Sequence, residues 1–184
     1  VMQQVIIVLA DTTEQAEKNE EFIELVQAAD MEIRETFTQN LKSITLRTYI
    51  GTGKCEEIRA YLQEQEIQRV VFNHDLSPLQ IRNLEEILQT PVMDRTELIL
   101  AIFESRAVTR TARLQIECAQ LKKLLPRLIG ANTQLGRQSG SGKNKGAGEK
   151  QLELDRRRIN ARIQELQREL KKIEAQRFNQ RRAR

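Results

Sequence analysis

The sequence predicts an α/β protein, in which a small parallel four-stranded sheet with flanking helices is followed by a long antiparallel α-helical hairpin. In the first hundred positions, apolar residues switch between short β-branched runs and helical spacing, a pattern typical of alternating strands and helices. Beyond Thr96 there are no strand-like runs, and apolar residues recur at alternating steps of four and three. We therefore predict an α/β subdomain over residues 1–94 and a helical hairpin over 95–184.

The first predicted strand, residues 5–9, is a continuous apolar run. Such a run is expected of a strand that is covered on both faces of a parallel sheet. Polar residues at 11–14 can cap the helix that follows, whose apolar stripe ends at about Asp30. An alternating strand over 33–38 and a weaker strand-like stretch over 44–50 come next.

A helix over 54–65 leads to a short buried strand at 70–72. Ser77 and Pro78 then start another helix, because serine is a preferred N-cap and proline is tolerated in the first turn. The strand-like segment 91–93 completes the set of four strands. Connections through helices of this length make neighbouring strands parallel.

The two helices of the hairpin have matching apolar seams, which predicts that they pair as a coiled coil. The seam residues are Leu114, Cys118, Leu121, Leu125 and Leu128 in the first helix, and Ile159, Ile163, Leu166, Leu170 and Ile173 in the second. Six of the eight glycines lie between the helices. We therefore predict a basic, glycine-rich tip loop at about 130–149.

Charge divides the chain more sharply than its net value of +4 suggests. Residues 1–107 carry 10 basic and 19 acidic side chains, whereas residues 108–184 carry 20 and 7. The basic half is suited to a polyanion, and an aromatic content of 4% favours phosphate contacts over base stacking. Two cysteines and one histidine exclude a disulfide framework and a zinc cluster of usual spacing, and no apolar run could span a membrane. We expect a cytoplasmic protein.

The tip of the hairpin is the part best suited to bind RNA. Its lysines and arginines can neutralise phosphates, and glycine lets backbone amides approach them closely. For the helix body, residues 162–184, a solvated face is the simpler interpretation. The predicted RNA-binding side chains are Arg137, Lys143, Lys145, Lys150, Arg156, Arg157 and Arg158, with the loop backbone at Gly140, Gly142, Gly146 and Gly148.

No catalytic or metal site is predicted in this chain. The Gly-Lys pairs ending at Lys54 and Lys143 lack the leading glycine and the following Ser or Thr of a phosphate-binding P-loop. His74 and Cys55 have no evident partner that would support catalysis. Asp94, which precedes the long helical region, is expected to act as a cap.

Several segments together resemble the N-terminal domain of the HflX-type ribosome-associated GTPases. In the α/β region the resemblance rests on YIGTGK at 49–54, FNHDLSP at 72–78 and DRTELIL at 94–100. In the hairpin it rests on LLPRL at 124–128 and GAGEKQLELDRRR at 146–158. The motifs occur in the family's order over about 150 residues.

This resemblance implies a module that docks on the large ribosomal subunit and its ribosomal RNA, with the tip toward the peptidyl-transferase centre. It implies a role in splitting or rescuing stalled or stressed ribosomes. The family's GTPase domain would follow Arg184, so GTP and Mg²⁺ are not expected in this chain. A monomer is expected, because an intramolecular hairpin satisfies both seams.

Alternative functions follow from the same features. The α/β region could bind ATP, since ligands favour the carboxyl ends of parallel strands, and RNA unwinding is suggested for some relatives. The hairpin could instead be a dimerisation module. The tip also departs from the family pattern, since Lys145, Ala147 and Lys150 stand where the family has Arg, Pro and Thr. A relative specialised for antibiotic resistance is therefore a further alternative.

Overall fold

The computed structural model describes the backbone of residues 2–12, 16–138 and 145–182, and the side chains of residues 2–12, 17–128 and 148–182. Within these ranges the chain divides into two compact units, Val1–Ser105 and Arg106–Arg184. No helix in the described ranges is both long enough and apolar enough to cross a membrane.

The first unit is built on a parallel sheet whose strands alternate with helices along the chain. The described elements are β1 (Gln3–Asp11), α1 (Ala16–Ala28), β2 (Met31–Asn40), α2 (Thr52–Glu64), β3 (Arg69–Phe72), α3 (Pro78–Leu88), β4 (Val92–Met93) and α4 (Arg95–Arg106). The four strands are hydrogen-bonded in the order β2-β1-β3-β4, and every pair is parallel. The predicted fold class is confirmed.

β1 separates two apolar layers, because its successive side chains point to opposite faces of the sheet. One layer contains Ile6, Val8 and Ala10 with residues of α2 and α3, and the other contains Val5, Ile7 and Leu9 with residues of α1 and α4. All six of these β1 side chains are buried. The continuous apolar run therefore has the physical cause inferred from the sequence, which is burial on both faces.

α4 belongs to the sheet unit, whereas the sequence-based division assigned residues 95 onward to the hairpin. Leu98 and Ile102 of α4 are buried in the same layer as Phe22 of α1 and Val71 of β3. The boundary therefore lies at Ser105 instead of residue 94. The helical periodicity of α4 gave no indication of which unit its apolar face would pack against.

The weak strand-like stretch over 44–50 forms a turn instead of a strand. Thr45 and Tyr49 close it with two backbone hydrogen bonds of 3.1 and 2.8 Å. Two side chains of α3 hold the turn in place, since Gln80 donates to the carbonyl of Thr45 and Asn83 donates to that of Arg47. Tyr49 has a φ of 66°, a left-handed conformation that is unusual for an aromatic residue.

The second unit consists of two long helices, α5 (Arg110–Gln138) and α6 (Lys145–Arg182). They pack through Leu114 and Cys118 of α5 against Ile163 and Leu166 of α6. Hydrogen bonds from Arg162 to Glu117 and from Arg177 to Thr111 pair later residues of α6 with earlier residues of α5. The helices are therefore antiparallel, as the matching seams predict.

The two helices extend into the range of about 130–149 that was predicted as a tip loop. α5 continues to Gln138 and α6 begins at Lys145, so four of the six glycines between the seams fall within helix bounds. Each glycine costs a helix only about 1 kcal/mol relative to alanine. The helices therefore continue through these glycines, because good helix formers lie on either side of them. Residues 139–144 lie outside the described residues.

Candidate functional site

A cavity of about 300 Å³ lies at the carboxyl ends of β1 and β3. The chain leaves β1 toward β2 on one side and leaves β3 toward β4 on the other, so this is the point where the strand order reverses. Ligands of open parallel sheets bind in the crevice at such a point. The described residues that line the cavity are Asp11, Lys18, Asn19, Glu21, Asn73, His74 and Arg95.

A hydrogen-bonded network around Asp11 forms the buried side of this cavity. Nε2 of His74 lies 2.7 Å from Oδ1 of Asp11, and Asn73 donates to the same oxygen at 3.2 Å. Asn19 donates to Oδ2 at 2.9 Å. Oδ1 of Asn73 accepts the backbone N–H of Ala10 at 3.1 Å, and its amide also donates to Asn19. The network therefore joins β1, α1 and the end of β3.

This network keeps Asp11 ionised although the residue is only 7% exposed. Burial by itself would raise the pKa of the carboxyl group. The hydrogen bonds from Asn19, His74 and Asn73, with the charge of His74, outweigh burial and hold the pKa below its ordinary value. Because both carboxylate oxygens accept hydrogen bonds from protein groups, Asp11 serves mainly to position its neighbours.

The ring of His74 is oriented from two sides. One nitrogen faces Asp11, and the ring stacks on Tyr49 with centroids 5.6 Å apart and planes 26° apart. Tyr49 is the residue with the left-handed backbone, and strained residues often cluster at binding sites. The sequence shows no evident partner for His74, but the structure supplies one in Asp11. The pairing leaves no local mark, because Asp11 is 63 residues away in sequence.

The beginning of α4 forms another side of the cavity. Asp94 is fully buried and its carboxylate accepts N–H groups from Leu76 and Glu97, so it caps α4 as expected. Arg95, the first residue of α4, directs Nη2 toward Glu21 of α1 at 3.0 Å. Sequence reasoning missed both Arg95 and Asp11 as cavity residues. The available signal was their position at strand ends, since Asp11 is the last residue of β1 and Arg95 lies two residues after β4.

The Gly-Lys segment at 51–54 has no features of a P-loop in the structure. Gly51 is the N-cap of α2 and follows the turn closed by Tyr49, so no strand leads into it. Lys54 forms an ion pair with Glu57 at 2.6 Å. Cys55 is buried, and burial raises the pKa of its thiol, which makes it a poor nucleophile.

The predicted RNA-binding residues that the structure describes with side chains lie on the first part of α6 and are exposed. They are Lys150, Arg156, Arg157 and Arg158. Arg156 and Arg157 both contact Glu153, at 2.9 and 3.0 Å, and Arg158 lies 3.5 Å from Asp155. The hydrogen bonds of the two arginines lower the pKa of Glu153. The arginine cluster is thus partly neutralised by its own helix.

Several of the remaining predicted tip residues lie within the bounds of the two helices. Arg137 lies within the bounds of α5, and Lys145 and Gly146 lie within those of α6. Gly140, Gly142 and Lys143 fall outside the described residues. Gly148 is exposed on α6, and no heavy atom lies within 4 Å of a Cβ built there. The described part of the predicted site is therefore Gly148, Lys150 and the three arginines at 156–158, all on α6.

Two family models match consecutive parts of the chain. The GTP-binding GTPase N-terminal family matches residues 16–104, and the GTP-binding GTPase Middle Region family matches residues 106–184. The break between the matches coincides with the boundary between the two structural units at Ser105. The sheet unit and the helical unit are therefore each recognised separately.

Relatives that bear the name GTPase HflX are similar over nearly the whole chain. The protein from Caldanaerobacter subterraneus is 39% identical over 180 residues, which cover 98% of this chain and 42% of the relative. The protein from Escherichia coli K12 is 41% identical over 165 residues, which cover 90% of this chain and 39% of the relative. The chain thus spans less than half the length of these relatives.

Solved structures of a GTP-binding protein share the fold. The protein from Sulfolobus solfataricus in complex with GDP matches with a TM-score of 0.68 and 24% identity, over 95% of this chain and 46% of that one. A complex of SsGBP with GDP matches with a TM-score of 0.73 and 24% identity, over 97% of this chain and 46% of that one. At this identity the likeness shows the fold alone.

Proposed function

As the chain belongs to the HflX family of GTPases, of which it forms the N-terminal and middle regions, we propose that it is a ribosome-binding module. In this proposal it docks in the cytoplasm, as a monomer, on the large ribosomal subunit through contacts with ribosomal RNA. GTP hydrolysis and the separation of stalled or stressed ribosomes are proposed for the longer protein, in which GTP and Mg²⁺ would be held outside residues 1–184.

The observation that carries the proposal is the position of the exposed cations on α6. Lys150 and Arg157 are seven residues apart, which is about two helical turns, so they share one face. Ile159, in the seam with α5, follows Arg157 by two positions, about 200° around the helix. The seam and these cations therefore occupy opposite faces. Packing of the hairpin leaves the cations available to phosphates.

Neutralisation within α6 does not remove this positive charge. Arg156, Arg157 and Arg158 share two acidic partners, Glu153 and Asp155. Surface ion pairs of this kind contribute only about 0–1 kcal/mol, so an arginine can exchange its carboxylate for an RNA phosphate at low cost.

The tip is proposed to extend the same surface toward the peptidyl-transferase centre. Arg137, Lys143 and Lys145 would add charge there, and the glycine backbone would allow close approach to RNA. Lysine in place of the family's arginine keeps point charge but loses bidentate geometry. This difference is the basis of the alternative that the chain comes from an antibiotic-resistance relative.

Large-subunit binding tests the proposal directly. Binding of the 184-residue chain to purified large subunits is measured by co-sedimentation at several salt concentrations, for the wild type and a K150A/R157A variant. The double variant should lower the slope of log affinity against log salt by up to about two and weaken binding roughly 10- to 20-fold near 0.15 M salt.

The body of α6 provides a matched control. Arg168 and Lys172 are also exposed on α6, so an R168A/K172A variant removes the same charge from the same helix. We expect this control to bind like the wild type. Equal losses of affinity in both variants would show that only net charge matters, and would contradict the assignment of RNA binding to the tip. Binding that does not depend on salt would contradict contact with RNA.

A second candidate function is nucleotide binding by the sheet unit, coupled to RNA unwinding. The observation that favours it is the cavity at the point where the strand order reverses, with charged side chains on its walls. Calorimetric titration of the chain with ATP tests this candidate. Saturable heat release at low ionic strength supports it, and the absence of heat at millimolar ATP excludes it.

A further inference from the structure

Cationic side chains converge on the cavity from three different elements. Lys18 lies in the first turn of α1, His74 lies two residues after the end of β3, and Arg95 is the first residue of α4. The sheet unit as a whole is acidic, so the convergence is local and opposes the prevailing charge. The first turn of a helix adds partial positive charge from its backbone N–H groups, here at α1.

The acidic groups of the cavity leave these cations available to a ligand. Asp11 is engaged within the protein, since each carboxylate oxygen already accepts from protein side chains. Glu21 contacts Arg95 at a single oxygen, and its side chain is 58% exposed, so this pair is weak and replaceable. Lys18 forms no ion pair with any residue that the structure describes.

His74 is prepared to act as a donor on the side away from Asp11. Its Nε2 is committed to Asp11, and the ring plane is fixed by stacking on Tyr49. Within the described part of the chain, Nδ1 has no hydrogen-bond partner. When both ring nitrogens carry protons, Nε2–H points to Asp11 and Nδ1–H is presented to a bound anion.

We propose that this cavity binds a terminal phosphate group, held by Lys18, Arg95 and His74. A phosphate monoester carries about −1.5 to −2 charges and three strong acceptor oxygens, which two permanent cations and one imidazole can satisfy. Arginine matches phosphate with its planar fork, and lysine adds point charge. The proposal rests on the second candidate function for the site and goes further by naming the group that is recognised.

The size of the cavity limits what the phosphate is attached to. About 300 Å³ is the lower end of the range for small-molecule pockets. A phosphate with its sugar can be enclosed, and the rest of a larger ligand would extend into solvent. The phosphate can therefore come from a free nucleotide or from the 5′ end of an RNA chain, which share this chemistry.

The single histidine makes the test specific, because imidazole resonances of the 184-residue chain report on His74 alone. Inorganic phosphate is titrated at constant pH and ionic strength, and the ring ¹⁵N and ¹H shifts are followed by NMR. Saturable shifts are expected. K18A and R95A should each weaken binding roughly tenfold, whereas R95K should retain part of it. R34A removes an exposed arginine near the amino end of β2 and should have no effect.

Further titrations identify the source of the phosphate. Adenosine monophosphate, ATP, and a short RNA with either a 5′-phosphate or a 5′-hydroxyl are compared by the same shifts and by calorimetry. Tighter binding of the 5′-phosphorylated RNA than of the hydroxyl form assigns the site to RNA ends, and tighter binding of the free nucleotides assigns it to nucleotides.

The outcomes separate this proposal from the second candidate function. In one case ATP binds by calorimetry without shifting the His74 resonances, or with an affinity that K18A and R95A do not change. Either result overturns the phosphate site and leaves nucleotide binding supported. If phosphate and 5′-phosphorylated RNA shift the His74 resonances while nucleotides do not bind, the phosphate site is supported and nucleotide binding is excluded. No response of His74 to any phosphate compound overturns the proposal.

Discussion

Replacing Asn73 with alanine is expected to destabilise the sheet unit, because this side chain makes three hydrogen bonds at the buried side of the cavity. Its Oδ1 accepts the N–H of Ala10, and its Nδ2 donates to Asp11 and to Asn19. Ala10 is fully buried, so in N73A its N–H loses the one side-chain acceptor found for it among the described residues. A buried donor left without a partner costs about 1–3 kcal/mol, and a lost hydrogen bond to a charged group costs about 1.5–3 kcal/mol.

Together these losses amount to about 3 kcal/mol, because water can reach Asp11 from the cavity and recover part of the second contribution. For a chain of this size the change corresponds to a fall in melting temperature of roughly 6–12 °C. The free energy of unfolding is measured by urea denaturation with far-UV circular dichroism. Hydrogen exchange at β1 assigns the loss to the sheet unit.

Two further variants test the reasoning. N73D keeps the acceptor for Ala10 but places a second carboxylate beside Asp11, so it should also destabilise, and protonation at low pH should relieve the effect. N160A removes an exposed asparagine of α6 and should change stability by less than about 0.5 kcal/mol. An N73A chain as stable as the N160A control would refute the hydrogen-bond account of the cavity.

Three other predictions concern separate features. The pKa of Asp11 is lowered in the folded state, so its ionised carboxylate stabilises the fold above the ordinary pKa of 3.8, and this contribution is lost as the pH falls below that value. D11N should therefore make the free energy of unfolding depend less steeply on pH in the acid range. L166A, at a fully buried seam position, should cost about 2–3 kcal/mol and reduce hydrogen-exchange protection in α5 and α6, while L154A, at a half-exposed position, should not; equal protection in both variants would contradict the seam. S77A should cost about 1 kcal/mol in urea denaturation, because Ser77 and Gln80 form a capping box at the start of α3, and an unchanged midpoint would show that the box contributes little.

Much of the fold was predictable because burial leaves a local mark in the sequence. The run from Val5 to Leu9 is apolar at every position because β1 is covered on both faces, and this is visible without any partner strand. Ser77 and Pro78 likewise act within one turn of α3. The seams of α5 and α6 repeat over several turns, so their pairing was also visible.

The cavity was not predictable in the same way, because its residues are distant in the chain. Asp11 and His74 meet only when β1 and β3 pair, and nothing local in the sequence indicates that they form a pair. The density of glycines led to a predicted loop that was too long. Glycine adds conformational freedom to the unfolded chain, but the extent of α5 and α6 depends on the helix formers around each glycine.

The central place of β1 in the sheet also governs the order in which a growing chain can fold. Val5 pairs with Ile33 on one side but with Arg69 on the other, so the second neighbour is synthesised 64 residues after Val5. At roughly 5–20 residues per second, this delay lasts several seconds. During that time one edge of a strongly apolar strand is open to other chains. The polar residues at the two ends of the strand disfavour its pairing with other chains during that interval; they are Gln3, Gln4 and Asp11.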